Sequence, residues 1–185
     1  MTGEDAVQVM DADEIRRAIT RIAHEIIEHN RGAQDLVIVG IQRKGVSLAG
    51  RIRKAIQSIE GQDPPFGTLD ISLHRDDFGS RMSSISPTDI PHPLTGKTVI
   101  LVDDVIFTGR TVRSALEALI DFGRPSAIQL AVLVDRGHRE LPVRADYVGK
   151  NLPTSRREDV LVLLDASPAN DRVMIRKGVE QEVEV

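Results

Sequence analysis

Between Val99 and Thr111 the chain reads VILVDDVIFTGRT: an apolar run, two adjacent acids, then a Thr-Gly-Arg-Thr turn that opens a helical pattern. A glycine-containing turn at a helix N-terminus points backbone N–H groups outward and adds the positive end of the helix dipole, which together hold a phosphate monoester. Thr108 and Thr111 add hydroxyl donors on either side of Gly109 and Arg110. Asp103 and Asp104 stand a few residues earlier, where carboxylates accept hydrogen bonds from a sugar's vicinal hydroxyls or help to hold a hydrated Mg2+. A phosphate and two hydroxyls at this spacing describe a ribose 5-phosphate. Taken singly, the acids read equally well as a solvated strand end and Thr108 as a plain helix cap, so the combination carries the reading. Neither GxxxxGK nor GxGxxG occurs, which excludes a Walker loop and a dinucleotide fingerprint.

Three other segments offer chemistry. Gly40-Ile41-Gln42-Arg43-Lys44-Gly45 is a basic turn flanked by glycines after an apolar run, suited to an anion approached closely by backbone. Arg75 opens a polar stretch that reaches Pro93 with Gly79, Pro87 and Pro91 inside it, too long for a simple connection and expected to be a mobile or functional loop. From Arg136 to Arg157 the cations Arg136, Arg139, Arg144, Lys150, Arg156 and Arg157 face only Glu140 and Asp146, a local +4 in a chain of net charge −4. Such a patch is the minimum that an RNA-binding face needs, and it also fits ordinary surface charge beside a strand. The histidines His24, His29, His74, His92 and His138 show no metal-ligand spacing, and no general base is evident.

The elements that must position these groups alternate. Asp11 to Asn30 carries Ile15, Ile19, Ile22 and Ile26 on one helical face, with Asp11 and Glu14 spaced as a capping pair and Gly32 beyond the end. Leu36 to Val39 is a strand, followed by a helix through Ala49, Ile52, Ile56 and Ile59. Thr68 to Leu73 alternates like a strand with one wet face. Thr98 to Val102 is a buried strand, and Thr111 to Phe122 a helix with Val112, Ala115, Leu116, Leu119 and Ile120 inward. Ile128 to Val134, Val160 to Leu164 and Val173 to Ile175 are further strands. The alternation predicts a largely parallel α/β sheet flanked by helices, with ligand chemistry at the carboxyl ends of the strands.

Composition narrows the class. The 185 residues are 41% hydrophobic and 28% charged, which suits one globular domain over residues 1–185 and excludes collagen, coiled-coil and disordered chains. Absence of Cys removes disulfides, thiolate metal sites and cysteine nucleophiles. The acidic N-terminal stretch and the short apolar runs predict a cytoplasmic protein without a membrane span. Aromatic content of 3%, with no Trp and one Tyr, argues against a base-stacking platform, so RNA would be met by Arg and polar contacts.

The VDDVIFTGRT segment resembles the phosphoribosyl pyrophosphate (PRPP) motif of type I phosphoribosyltransferases. With Leu133 to Arg157 it resembles, over most of the chain, the branch of that family that joins uracil phosphoribosyltransferase activity to control of pyrimidine operons. The resemblance implies the type I fold, a twisted parallel sheet with a small hood and a flexible active-site loop. It implies a Mg2+-dependent glycosyltransferase that makes UMP and pyrophosphate from PRPP and uracil. It also implies a regulator that binds pyrimidine operon leader RNA, by attenuation, as a homodimer or larger homo-oligomer. Carried onto this sequence, Asp103 and Asp104 hold the ribose and the metal and Arg75 the departing pyrophosphate. Gln42, Arg43, Lys44 and Gly45, with Val105 and Phe107 to Thr111, bind PRPP or UMP. Val134, Asp135 and Arg136 lie at the uracil. Arg136, His138, Arg139, Arg144, Lys150, Arg156 and Arg157 form the RNA face. Purine salvage relatives usually carry an acid where this chain has Phe107, which weighs against the alternative of a hypoxanthine or guanine phosphoribosyltransferase without RNA regulation.

Overall fold

The computed structural model describes residues 6–72 and 87–177. Its centre is a five-stranded sheet in the order β3-β2-β4-β5-β6, every pair parallel, formed by β2 (Leu36–Ile41), β3 (Phe66–Leu69), β4 (Thr98–Ile106), β5 (Ala127–Asp135) and β6 (Tyr147–Asn151). The unbroken apolar runs of β2 and β4 follow from burial on both faces. Leu36, Ile38, Ile100 and Val102 pack with α1 (Ala12–Asn30) and α2 (Lys44–Glu60). Val37, Val39, Val99 and Leu101 pack with α3 (Arg110–Leu119) on the other face. The capping pair before α1 is reciprocal, with Glu14 N donating to Asp11 Oδ1 at 2.8 Å and Asp11 N to Glu14 Oε2 at 2.9 Å.

A second sheet, β1-β8-β7, is antiparallel and joins β1 (Ala6–Met10), β7 (Glu158–Leu163) and β8 (Arg172–Lys177). The expected strand at Val160 to Leu164 therefore belongs to this smaller layer. It is pinned to α2 by Arg51, whose guanidinium pairs with the buried Asp171 and donates to the Asp165 carbonyl at 2.6 Å.

Other boundaries differ for local reasons. β3 stops at Leu69, because Asp70 turns its carboxylate onto the N–H and hydroxyl of Ser72; Leu73 lies outside the described residues. α3 ends at Leu119 and tightens into a 3-10 turn over Ile120–Phe122, which leaves Ile120 71% exposed instead of inward. β4 runs on to Ile106, so both acids sit within the strand instead of beyond it. β1 and β6, five residues each, are too short to announce themselves. No helix among the described residues is long and apolar enough to cross a membrane.

Candidate active site

β2 leads through α2 to β3 on one side, and β4 leads through α3 to β5 on the other, so the sheet order reverses between β2 and β4. In open parallel sheets a crevice forms at that place, outside the carboxyl ends of the strands. The two segments singled out by their chemistry, Gly40 to Gly45 and Asp103 to Thr111, end these two strands.

Each strand hands over to a helix whose N-cap residue supplies no side-chain cap, and at α3 the Thr108 Oγ1 of the preceding residue accepts from Arg110 N at 3.4 Å. α2 begins after Arg43 and α3 after Gly109, which takes φ 95° and has no side chain to offer. The amide ends of two helices thus open onto one crevice, a double site for anionic groups. Gly45 allows the close approach that brings them together, since a Cβ there would stand 2.5 Å from the Val102 carbonyl oxygen and 3.2 Å from the Asp103 Cα. The peptide between Gln42 and Arg43 is cis, and the Gln42 N–H donates to the Leu69 carbonyl at 2.9 Å.

Between the helix ends stand the acids. Asp103 is buried, 7% exposed, and its Oδ1 accepts from the Asp104 N–H at 2.9 Å. The Asp104 carboxylate is half-buried with Lys44 Nζ 3.8 Å from its Oδ2, so basic turn and acid pair meet across the crevice. A hydrated Mg2+ commonly keeps several waters and takes one or two carboxylates plus the substrate's phosphates. The pair fits that role, whereas no group of three or more acids or histidines suited to a metal occurs among the described residues.

The Thr108-Gly109-Arg110 turn is docked on the loop after β5. Thr108 O accepts from Glu140 N at 3.0 Å and Leu141 N at 3.3 Å, and Arg139 Nη1 donates to Phe107 O at 2.8 Å. Arg110 turns its guanidinium to Glu140, 2.9 Å away, instead of into the cradle, and Glu140 also takes Arg156 at 3.5 Å. The Arg110 hydrogen bond holds the Glu140 carboxyl below its ordinary pKa. In sequence Glu140 merely reduces the local charge; nothing there shows that it meets an arginine thirty positions earlier.

The structure redistributes the remaining expectations. Val134 is fully buried in the core. Val105 packs partly against the same core, beside Val134 in the neighbouring strand. Asp135 shapes the turn after β5, accepting from Gly137 N at 2.9 Å and from Arg139 Nη2 at 2.6 Å. Arg136, expected at both uracil and RNA, is 6% exposed and its guanidinium is engaged by Thr154 Oγ1 and the carbonyls of Ser155 and Glu158. His138 meets the Thr154 carbonyl through Nε2, and Lys150 donates to the Val9 carbonyl at 2.8 Å. Exposed cations of the segment are Arg144, Arg156 and Arg157. Arg43 and Lys44 are exposed at the mouth of the crevice. Arg75 lies outside the described residues.

Comparison with known proteins agrees with this geometry. Residues 6–160 match the model of the phosphoribosyl transferase domain. The bifunctional protein PyrR of Pelotomaculum thermopropionicum is 56% identical over 178 residues, 95% of this chain and 98% of its own. That of Chloroflexus aurantiacus is 58% identical over 173 residues, 92% of this chain and 95% of its own. Among solved structures, the hypoxanthine phosphoribosyltransferase of Trypanosoma cruzi covers 92% of this chain and 96% of its own with a TM-score of 0.68; at 20% identity it shows a shared fold. The two-sided crevice thus stands on a known scaffold, and the chain belongs to the phosphoribosyl transferase family and, within it, to the bifunctional PyrR proteins.

Proposed function

We propose that the chain transfers phosphoribose from PRPP to N1 of uracil, giving UMP and pyrophosphate, and that with UMP in the same crevice it binds pyrimidine operon leader RNA. The observation that carries the first half is the pair of helix N-termini, neither capped by the side chain of its N-cap residue, facing one crevice with two carboxylates between them. PRPP is anionic at both ends and carries hydroxyls in the middle. The first-turn amides of α3 with Thr108 and Thr111 receive the 5-phosphate; Asp103 and Asp104 accept from the ribose hydroxyls. The amide end of α2 with Arg43 and Lys44 receives the pyrophosphate. A bound Mg2+ would neutralise the pyrophosphate, and Asp103 and Asp104 are the residues placed to help hold it.

In the reaction the bond from C1′ to the pyrophosphate oxygen breaks, the C1′–N1 bond forms and the N1 proton is released. Positive charge develops on the ribose and negative charge on the leaving group. Fixed carboxylates at the one and fixed amides and cations at the other stabilise that separation without reorganising. Phe107, apolar where an acid would favour a purine, supports the pyrimidine branch. The regulatory half rests on the likeness to proteins named bifunctional, with Arg144, Arg156 and Arg157 as its exposed cations.

The test is pyrophosphate release from PRPP and Mg2+ with uracil, guanine, hypoxanthine and adenine offered separately, followed by RNA titration with and without UMP. Turnover with uracil alone and UMP-dependent, salt-sensitive RNA binding are expected. Turnover only with a purine overturns the uracil assignment, and equal RNA binding without UMP overturns the shared-site reading.

A further inference from the structure

Arg136 is an expensive residue to bury. It follows β5, its N–H donates to the Ile106 carbonyl at 3.2 Å, and it is 6% exposed. Its Nε donates to Thr154 Oγ1 at 3.1 Å and its Nη2 to the carbonyls of Ser155 (3.0 Å) and Glu158, so these hydrogen-bond partners are a hydroxyl and two carbonyls. Desolvation lowers its pKa, against the raising influence of Asp159 and Glu158. A side chain of similar length without charge would fill the space with no such penalty.

What the guanidinium adds is a planar cation lying 4.0 Å above the Phe107 ring. The His138 ring meets Phe107 at 5.8 Å and 75°, and its Nε2 shares Thr154 with Arg136 through the Thr154 carbonyl. Phe107 is therefore held from two sides by residues of the segment after β5, and its own carbonyl is held by Arg139. Along the chain Phe107 stands between the acids at Asp103 and Asp104 and the phosphate turn at Thr108 to Thr111. A base whose ribose and phosphate occupy those groups has Phe107 as its neighbour.

We infer that Arg136 is a positioning residue for base recognition: tied to Thr154, Ser155 and Glu158, its guanidinium fixes Phe107 as the wall against which the nucleobase is seated, and it touches neither base nor RNA. The inference rests on the nucleotide-site reading above. It replaces direct contact of Arg136 with uracil by action through the ring. A cation on one face of the ring draws down its electron density, which favours a carbonyl-rich base such as a pyrimidine-dione beside it.

The experiment separates base from sugar phosphate. Wild type, Arg136→Met, Arg136→Lys, Phe107→Leu, the double variant Arg136→Met with Phe107→Leu, and Thr154→Val are titrated calorimetrically with UMP and with ribose 5-phosphate, alongside thermal unfolding. Losing a desolvated cation–π contact should weaken UMP binding by about tenfold in Arg136→Met while ribose 5-phosphate stays within about twofold. The double variant should be no worse than Phe107→Leu alone, because Arg136 acts through the ring. Thr154→Val, which only loosens the guanidinium, should show a smaller loss of the same kind, and Arg136→Lys should not restore binding. Equal losses for both ligands, additive losses in the double variant, full rescue by Lys, or unchanged UMP binding in Arg136→Met each overturn the inference. Failure of the wild type to bind ribose 5-phosphate overturns the nucleotide-site reading instead. Should Arg136→Met not fold, Thr154→Val and Phe107→Leu decide the matter.

Discussion

Replacing Gly45 with Ala tests whether the two halves of the crevice depend on one backbone contact. The added Cβ would lie 2.5 Å from the Val102 carbonyl oxygen, where ordinary contact begins at 3.4 Å, so α2 and β4 must separate by about 0.9 Å at this point. Both obstacles, Val102 O and Asp103 Cα, are backbone, and no side chain can rotate away. Overpacking of this kind costs roughly 1–3 kcal/mol, which in a domain of this size lowers Tm by roughly 2–12 °C. The same displacement moves Gln42 to Lys44 relative to Asp103 and Asp104. A misplacement of about 1 Å can cost about a hundredfold in rate, so kcat/KM for PRPP should fall by about ten- to a hundredfold. Gly50→Ala is the control: it lies on the same helix with nothing within 4 Å of its Cβ, and should leave PRPP kinetics unchanged with Tm equal or higher. Differential scanning fluorimetry and a coupled pyrophosphate assay read both quantities. Gly45→Ala with wild-type Tm and kcat/KM would refute the reasoning, as would Gly50→Ala with the same losses.

Three further outcomes are expected. Burial raises the Tyr147 pKa to about 12, and Tyr147 is the chain's sole tyrosine in the absence of Trp, so ultraviolet absorbance titration reads it directly. Its folded value lies above the unfolded value of about 10, so its stabilisation is full below pH 10 and is lost as pH rises towards 12; Tyr147→Phe should flatten that decline, and a titration midpoint near 10 in the folded protein would contradict the burial. Asp171→Asn leaves Arg51 without its charge partner in a site where the Asp171 side chain is 2% exposed, and should cost about 3 kcal/mol in urea unfolding; a cost below about 1 kcal/mol would show that the pair does not pin the second sheet. Arg144 is exposed, so Arg144→Gln should weaken UMP-dependent RNA binding and reduce its salt slope by about 1 without altering PRPP turnover; an unchanged slope would remove it from the RNA face.

Much of the parallel sheet was legible because its strands are buried on both faces: Leu36 to Val39 and Thr98 to Val102 leave no other reading for a short β-branched run before a helical pattern. The reciprocal cap at Asp11 and Glu14 is local, and local geometry needs only neighbouring residues. The separate layer of β1, β8 and β7 was not legible as a sheet, since an antiparallel surface layer is made by pairing between distant segments, and β6 is a short run of mixed composition at the edge of the parallel sheet.

The candidate site divides along the same line. Sequence alone determined that Asp103, Asp104 and the Thr108 to Thr111 turn form one unit, because strand, acids and helix start are contiguous and their spacing sets their geometry. Only the tertiary structure decided that Lys44 meets Asp104, that Glu140 takes Arg110 and Arg156, and that Arg136 is buried over Phe107 instead of displayed to RNA. A cation's type and number say that it carries charge. Which carbonyl, carboxylate or ring receives that charge depends on loops from different strands meeting at one end of the sheet, and no spacing along the chain encodes that meeting.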